Sequence, residues 1–473
     1  METNREIDSL RERNMWWYRL TRLIGITIIA IASLGCTQES KDLSARFKGY
    51  NILLISIDTL RADHLGCYGY RKITPYIDSI AAESFVFKSM FTTSSTTFPA
   101  HVSLLTGLYP RDSRNGYYLQ DSVVTMAEIL SENDYSCFAF VSALPLDVRF
   151  NLDQGFSYYD SDFSSCKGSV YLKDQEWFAH NYQVFDCNAE ETTQKVISTL
   201  REKKKSAPYF LWVHYYDPHL PYHPPMEYYD PDKVTRYTFP YYFTPTQSDL
   251  EDLHGLYNGE IKFVDHQLKK LIGGLKELGI YRNTIVVIVS DHGENLYEHD
   301  NFLDHSQVVY ETVMWIPCVI YLPGYQGKSI DEMASIIDIM PTLLDVVGIE
   351  GKDFDGRSLV EIMETDTPKP VRSYVTCETN DFGVRPEEQT IAVRTKRMKY
   401  IYNNWKSGDN LFFDLQKDPK ERQPMKNLVG DKAKELTSFY RKWRSQYKTG
   451  QMSTRFELDR KTKEALKSLG YLQ

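Results

Sequence analysis

The chain has 473 residues, of which 42% are hydrophobic and 25% are charged, and its formal net charge is −9. This length and composition are typical of a globular protein with a large buried core. The negative charge argues against nucleic acid as the main partner, because binding a phosphate backbone requires clustered Lys and Arg.

The first 36 residues are typical of a targeting segment. Four arginines between Arg11 and Arg22 precede an apolar run over residues 23–34, which ends in Gly35-Cys36. This run is short for a membrane span and fits the apolar part of a secretory signal. Gly35-Cys36 resembles the cleavage and acylation site of bacterial lipoproteins; the alternative is an uncleaved signal anchor. Both interpretations predict an exported, membrane-tethered protein of the cell envelope, on the periplasmic side or at the cell surface.

Three near-continuous apolar runs predict buried parallel strands, over residues 50–57, 209–213 and 284–289. The first run is followed by Asp58, the second by a segment from His214 to His219, and the third by Asp291-His292. Each predicted strand therefore delivers carboxylates or imidazoles at its C-terminal end, where open α/β sheets place their sites.

The segment 97–107 carries the candidate nucleophile. Its proline suits the first turn of a helix, one short apolar helix follows, and Gly107 stops it. The Thr97 hydroxyl then lies at a helix N-terminus, where free N–H groups and the helix dipole favour an anion. Thr97 is either a capping residue or a nucleophile toward a phosphate or sulfate ester. The polar groups after the three strands favour the nucleophile.

Strands alternating with helices predict one large α/β domain over residues 48–370, with a mixed, mostly parallel sheet flanked by helices. Short strand candidates and a final helix predict a small C-terminal α+β domain over 371–447, with a mostly antiparallel sheet. Residues 448–473 form a tail.

Two long irregular stretches interrupt this pattern, over residues 149–186 and 221–247. Loops of that length are usually functional, so we interpret them as the lip of a substrate cleft. If Cys36 is lipidated, six of the seven cysteines remain in an oxidising compartment, and Cys166 and Cys187 are candidate partners for a disulfide.

With these residues in view, the chain resembles members of the sulfatase family in the alkaline phosphatase superfamily. The matching stretches run nearly from end to end: 58–63 (DTLRAD), 97–111 (TFPAHVSLLTGLYPR), 217–222 (DPHLPY), 257–265, 290–294 (SDHGE), 338–344 (DIMPTLL), 356–359 (GRSL) and the LGYL tail. One such motif carries little weight, whereas this set in this order is specific. The resemblance implies the alkaline phosphatase/sulfatase fold and a metal-dependent hydrolase acting on ester bonds.

Three departures from the sulfatase pattern bear on the chemistry. Sulfatases carry Cys or Ser at the position of Thr97 and oxidise it to formylglycine, their nucleophile. Threonine cannot take that route, because oxidising its secondary alcohol gives a ketone, so no formylglycine is expected. His101 replaces the arginine of the motif. The pairs Asp58-Thr59 and Asp291-His292 replace all-oxygen pairs suited to Ca²⁺, and an imidazole ligand favours Zn²⁺ or Mn²⁺ over Ca²⁺.

These changes point to the phosphate-ester branch of the superfamily. The segment 97–101 is similar to the threonine nucleophile loop of nucleotide pyrophosphatase/phosphodiesterases, and the chain resembles phosphonate-hydrolase-like members. The Asp291-His292 pair and residues 219–222 also resemble phosphoethanolamine transferases. The resemblance implies that Asp58, Asp291, His292 and Thr97 hold one metal ion. Thr97 then attacks phosphorus or sulfur in line, and water or an acceptor alcohol resolves the covalent intermediate.

His219 and His305 are further candidates for catalysis and, with His101, for substrate binding. His305 lies near the position where the family has a Lys or His facing the substrate anion. Together with Asp217, His219 and His305 are also a possible second metal site, as in two-metal phosphodiesterases. The usual Asp-x-x-x-His spacing of that site is absent after Asp217, so the first metal site is the firmer prediction.

Two classes of function stay open. The first is a hydrolase of phosphate esters, with diesters favoured, or of sulfate esters such as sulfated glycans without formylglycine. The second is a phosphoethanolamine-type transferase that acts on a glycan or lipid of the envelope. Such transferases usually carry several transmembrane helices, whereas this chain has one apolar N-terminal segment, which favours the hydrolase. A non-catalytic binding protein is disfavoured because the candidate nucleophile and ligands are all present.

Overall fold

The computed structural model describes residues 43–113, 117–166, 186–203, 208–229, 245–299, 303–351, 353–379, 389–404, 407–425, 431–445, 460, 462–463 and 466. The predicted targeting segment with Cys36, and most of the tail 448–473, lie outside these residues. Within the described ranges, no helix has the length and apolar character needed to cross a membrane.

The strands of the described chain are β1 (Asn51–Ile57), β2 (Phe85–Phe87), β3 (Met90–Phe91), β4 (Ser136–Phe140), β5 (Tyr158–Asp160), β6 (Tyr209–Tyr215), β7 (Thr284–Ser290), β8 (Trp315–Ile316), β9 (Cys318–Tyr321), β10 (Ser329–Ile330), β11 (Ala334–Ser335), β12 (Val375–Glu378), β13 (Ile391–Arg394), β14 (Met398–Tyr402) and β15 (Leu411–Asp414). Eight of them form one large sheet in the order β10-β2-β9-β7-β1-β6-β4-β5. Its neighbours are parallel except at β9, which is antiparallel to β2 and β7. The predicted mixed, mostly parallel sheet is confirmed.

The α-helices are α1 (Pro75–Ala81), α2 (Thr97–Thr106), α3 (Pro110–Ser113), α4 (Met126–Glu132), α5 (Ala189–Glu202), α6 (Gln247–Glu277), α7 (Glu311–Met314), α8 (Ile339–Val346), α9 (Val360–Glu364) and α10 (Asp431–Ser445). The long helix α6 begins at Gln247, ahead of Leu253, the first of its buried residues. Thr246 and Asp249 form a capping box there, so the first turn is fixed by polar groups and not by a buried stripe. Further along, Val264, Leu268 and Leu271 are buried in the same apolar cluster as residues of β1 and β6.

The register of the three central strands aligns their carboxyl ends. Ile57 of β1 is opposite Tyr215 of β6 and Ser290 of β7. All seven residues of each strand are buried, which is why each reads as an apolar run and not as an alternating pattern. The residues that follow β1 and β7, and the last residues of β6, therefore meet at one edge of the sheet.

The small C-terminal sheet is antiparallel, in the order β12-β13-β14-β15, as predicted. The end of β12 also contacts the loop before α2. The Ser95 amide donates to the Glu378 carbonyl (3.1 Å), and the Glu378 amide donates to the Thr93 carbonyl (3.0 Å). The C-terminal sheet thus supports the loop that leads to Thr97. Elsewhere, Cys166 and Cys187 form a disulfide bond.

Candidate active site

Four side chains from three segments meet at the carboxyl edge of the large sheet. Asp58, Asp291 and His292 follow β1 and β7, and Thr97 is the first residue of α2; all four are fully buried. Thr97 Oγ1 lies 3.3 Å from Asp58 Oδ2 and 3.4 Å from His292 Nε2. The structure therefore brings together all the residues of the predicted first metal site.

The turn after Asp58 has an unusual backbone. Thr59 has φ +53°, a left-handed conformation that is rare for a β-branched residue. In this conformation its amide donates to Asp291 Oδ1 (3.3 Å), and its carbonyl accepts from the Tyr257 hydroxyl (2.7 Å). The turn joins the segment after β1 to the segment after β7, which is consistent with backbone strain stored at a functional site.

Helix α2 ends as the sequence predicts, at Thr106, with Gly107 in the left-handed region (φ +67°) and its amide bonded to the Ser103 carbonyl. Thr97 begins the helix, and Thr96 before it makes no side-chain cap. The N-terminus of α2 thus lies at the Thr97 hydroxyl, and a helix N-terminus favours an anionic group.

His101 does not have the substrate-binding role that we predicted. Its ring is fully buried, Nδ1–H donates to the Thr97 carbonyl (2.8 Å), and Nε2 accepts from the Ser56 hydroxyl (2.9 Å). The Trp212 indole N–H donates to the same Ser56 oxygen (3.0 Å), so the Ser56 proton points to His101. Both ring nitrogens are engaged, and His101 instead holds the carbonyl of the candidate nucleophile.

The residues of the first cluster fit a divalent cation. Asp58 Oδ1 and Asp291 Oδ2 are buried and have no hydrogen-bond partner among the described residues. The Nδ1–H of His292 donates to the Gly293 carbonyl (3.0 Å), so Nε2 carries a lone pair. This Nε2 lies 3.7 Å from Asp58 Oδ1 and 3.4 Å from Asp291 Oδ2. Imidazole ligands of metals are held by backbone carbonyls in this way, and two oxygens with one imidazole suit Zn²⁺ or Mn²⁺.

The electrostatics of the cluster favour the binding of a cation. Burial and the neighbouring Asp291 carboxylate raise the pKa of Asp58 well above its ordinary value, and burial raises the pKa of Asp291 to about 7. Burial and nearby His305 lower the pKa of His292. Two buried carboxylates beside a neutral imidazole are unfavourable unless a cation completes them.

His305 and His219 lie beside this cluster. The His305 ring stacks on His292, with centroids 4.2 Å apart, and lies 5.1 Å from the His219 ring. His305 Nδ1 contacts Glu294 Oε1 (3.3 Å) and Asp304 Oδ1 (3.5 Å). Burial alone lowers the pKa of His305, but these carboxylates outweigh it and raise the pKa to about 8. Sequence reasoning assigned no role to Glu294, although it lies in the SDHGE motif.

Asp217 does not join His219 and His305. Its Oδ2 accepts from the amide of Ala189, at the first residue of α5 (2.7 Å), and its pKa is raised by burial to about 7. The predicted second-metal set of Asp217, His219 and His305 is therefore not assembled. Proximity in sequence to His219 suggested this role, whereas the fold turns Asp217 toward a helix N-terminus.

His214 was noted from the sequence at the end of the second predicted strand, but no role was assigned to it. It is the sixth residue of β6, fully buried, and its Nε2 lies 3.5 Å from Asp58 Oδ2. The available signal was a single imidazole inside an otherwise apolar strand. Its alignment with β1 is a property of the sheet register, which the sequence does not reveal.

Comparisons with known proteins agree with this geometry. The Sulfatase family model matches residues 50–349, and a model described as N-sulphoglucosamine sulphohydrolase, C-terminal, matches residues 298–447. The chain is 29% identical over 464 residues to an arylsulfatase of Clostridium perfringens, covering 83% of this chain and 93% of that protein. It is 26% identical over 438 residues to an ulvan-active sulfatase of Formosa agariphila, covering 85% and 82%.

Solved structures show the same fold. The phosphonate monoester hydrolase of Agrobacterium radiobacter matches with a TM-score of 0.66 at 23% identity, covering 84% of this chain and 96% of that chain. A protein in complex with its substrate D-glucosamine-2-N,6-O-disulfate matches with a TM-score of 0.68 at 19% identity, covering 85% and 99%. Enzymes of this family are metal-dependent, and the buried Asp58, Asp291 and His292 form a possible metal site. The chain belongs to the sulfatase family, in the alkaline phosphatase superfamily, and is an ester hydrolase.

Proposed function

We propose that the protein is a metal-dependent hydrolase that cleaves phosphate esters, with diesters favoured, or sulfate esters, with Thr97 as its nucleophile. One observation carries the proposal: the Thr97 hydroxyl lies within 3.4 Å of both Asp58 and His292, at the start of a helix. In this position the hydroxyl faces the cluster of carboxylates and imidazole, where a nucleophile is expected.

Asp58, Asp291 and His292 would hold the cation, with Thr97 as a further ligand. When bound, the cation would lower the pKa of the Thr97 hydroxyl and neutralise the oxygen that attacks. The remaining roles in the reaction would be filled by groups of the chain itself. Asp58 Oδ2 is placed to receive the hydroxyl proton, and the N-terminus of α2 favours the anionic group of the ester.

His305 and His219 would bind the transferred group. Glu294 and Asp304 orient the His305 ring through Nδ1, and the Leu220 carbonyl orients His219 through Nδ1 (2.6 Å). Fixed imidazoles of this kind stabilise an anion at low cost in reorganisation, because they do not have to move when charge develops. His101 holds the Thr97 backbone and has no direct contact with the substrate in this mechanism.

A sulfate ester is the second candidate substrate, and the relatives favour it. The arylsulfatase of Clostridium perfringens and the ulvan-active sulfatase share most of their length with this chain. Under this alternative, Thr97 would attack sulfur without formylglycine, and a sulfated glycan would be the natural substrate. A transfer to an acceptor alcohol of the envelope, by a lipid-anchored protein, is the third proposal.

A parallel turnover assay would separate these candidates. The chain from about residue 41 would be given bis(4-nitrophenyl) phosphate, 4-nitrophenyl phosphate or 4-nitrophenyl sulfate, each with Zn²⁺, Mn²⁺ or Ca²⁺, with Thr97→Ala as the control. We expect diesterase activity that needs Zn²⁺ or Mn²⁺ and disappears in the variant. Sulfate turnover that depends on Thr97 would reverse the phosphate preference. Turnover that survives in Thr97→Ala would contradict the proposed nucleophile.

A further inference from the structure

His214 is a fully buried imidazole that the proposed mechanism does not use. Its partner in the register of β1 and β6 is Ser56, two residues before Asp58. Trp212, two residues before His214, donates to Ser56, so these side chains lie on one face of the sheet. The face that carries His214 is therefore the face that leads to Asp58.

A backbone amide fixes the tautomer of His214. The Ser142 N–H lies 3.4 Å from Nδ1, and an amide N–H can only donate. Nδ1 of the neutral ring must then accept, which leaves the proton on Nε2. This is the reverse of His292, whose Nδ1–H donates to a carbonyl and whose Nε2 carries the lone pair.

This tautomer excludes His214 from the metal ligands and makes it a donor. A ring that binds a cation through Nε2 would need its proton on Nδ1, where the Ser142 amide already donates. The neighbouring His101 ring, 5.0 Å away, does not receive the Nε2 proton, since Ser56 and the Thr97 carbonyl occupy its nitrogens. Nε2 is buried and makes no hydrogen bond among the described residues, and Asp58 Oδ2, an acceptor, lies 3.5 Å from it.

We propose that His214 is a positioning residue: a small closure of the 3.5 Å separation lets Nε2–H donate to Asp58 Oδ2 and so directs the other oxygen, Oδ1, to the metal. Oδ1 is the atom of Asp58 that has no hydrogen-bond partner among the described side chains and that faces His292 Nε2. The inference rests on the proposed metal site. It adds to that site a hydrogen-bond donor, His214, that contacts one of the ligands, Asp58. Contacts of this kind tune metal affinity.

A matched pair of variants tests the donor. In His214→Gln, the longer side chain brings an amide N–H to the position of Nε2. In His214→Asn, the amide still accepts from the Ser142 N–H but ends short of Asp58. The dissociation constant for Zn²⁺ would be measured near neutral pH by competition with a chromophoric chelator, alongside thermal unfolding of each metal-free protein.

We expect His214→Asn to weaken Zn²⁺ binding by about 10- to 100-fold and His214→Gln to stay close to wild type. Unchanged affinity in a folded His214→Asn protein, with tight binding by wild type, would overturn this inference alone. An equal loss in both folded variants would also overturn it. Wild-type protein that binds no divalent cation would overturn the metal site and this inference together.

The tautomer itself gives a second test, which is read in the wild-type protein. In wild-type protein labelled with ¹⁵N-histidine, two-bond ¹H–¹⁵N spectra distinguish a ring protonated on Nε2 from one protonated on Nδ1, and the His214→Gln spectrum identifies the signal. We expect His214 to be protonated on Nε2, unlike His292. A His214 ring protonated on Nδ1 would contradict the proposal.

Discussion

Two buried clusters of charged residues lie on motifs that this chain shares with its family. They differ in whether each buried carboxylate oxygen has a hydrogen-bond partner within the chain, and we call a cluster in which one does not the incomplete cluster. Asp338 is fully buried, accepts from the Ser335 and Arg357 amides (2.8 and 2.7 Å) and is paired with Arg372. Asp58 and Asp291 are equally buried, yet each leaves one oxygen without a hydrogen bond among the described residues.

The difference separates a structural carboxylate from a ligand. Buried polar groups are almost always satisfied, and a buried charge needs a partner. Around Asp338 the chain supplies amides and a guanidinium, so the motif stabilises the turn before α8. Around Asp58 and Asp291 the described part of the chain supplies amides, a hydroxyl and imidazoles, and a bound cation would satisfy the two oxygens that have no hydrogen bond there. The incomplete cluster is therefore the one that we propose to be the active site.

The largest expected effect concerns turnover in the incomplete cluster. Thr97→Val keeps the shape of the side chain and removes the hydroxyl, so we expect the rate to fall by about 10⁴-fold or more. Thr97→Ser keeps a hydroxyl at the same position and is the matched control. Steady-state kinetics on the preferred ester, with thermal unfolding of each protein, provide the measurement. A Thr97→Val enzyme with near-normal turnover would refute the role of Thr97.

The next effect is on stability in the complete cluster. Asp338→Ala would leave the Arg372 guanidinium, whose side chain is 9% exposed, without its carboxylate. We expect the free energy of unfolding to fall by about 3–5 kcal/mol, because a buried charge is left unpaired. Urea-induced unfolding would measure this, with Glu277→Ala, which removes one partner of an exposed ion pair, as control. A loss below that of the control would contradict the structural role of Asp338.

The free energy of unfolding is expected to rise, and not to fall, when a carboxylate of the incomplete cluster is replaced. In Asp291→Asn, Oδ1 still accepts from the His292 amide (2.8 Å), and the new amide group can donate to His292 Nε2. We expect the metal-free protein to gain about 1–2 kcal/mol, since repulsion between two buried carboxylates is removed. Zn²⁺ affinity should fall by more than about 100-fold. Destabilisation of the metal-free variant would show that the carboxylate is already satisfied.

The smallest effect is a pH dependence at Asp265, a buried carboxylate that is held by amide donors. It accepts from the Ile77 and Tyr76 amides (2.7 and 3.1 Å), and burial raises its pKa from 3.8 to about 6. Because the folded pKa is the higher one, the stabilising contribution is present at low pH and is lost as pH rises through 6.

We compare the free energy of unfolding of wild type with that of Asp265→Asn. The difference between them should favour wild type by about 1 kcal/mol more at pH 5 than at pH 7. The measurement is urea unfolding of both proteins at the two pH values. Asp338→Asn provides a comparison at a carboxylate that has a guanidinium partner. A difference between wild type and Asp265→Asn that grows with pH would contradict the sign.

The sequence predicts the frame of the site because the strands that carry it are buried on both faces. Their apolar runs mark β1, β6 and β7 to within two residues, and Asp58 and Asp291-His292 follow from them. Helix α2 is predicted because proline and glycine mark its ends. These features depend on local chemistry, which the sequence carries directly.

What the sequence does not predict depends on register and on side-chain orientation. His214 reaches Asp58 because β6 is aligned beside β1, and Asp217 misses His219 because it turns toward the N-terminus of α5. His101 was expected at the substrate, but the fold closes both of its nitrogens with Ser56 and the Thr97 carbonyl. Local spacing suggests that these residues are near the site and does not say which atom each one contacts.

The central claim is that Thr97 is the residue that becomes covalently modified. A rapid-quench experiment would mix the metal-loaded enzyme with bis(4-nitrophenyl) phosphate, stop it in acid during the first turnover and examine the peptides by mass spectrometry. The account predicts a 4-nitrophenyl phosphoryl group on the peptide that contains Thr97, and none in Thr97→Val. The same group on another side chain would contradict it.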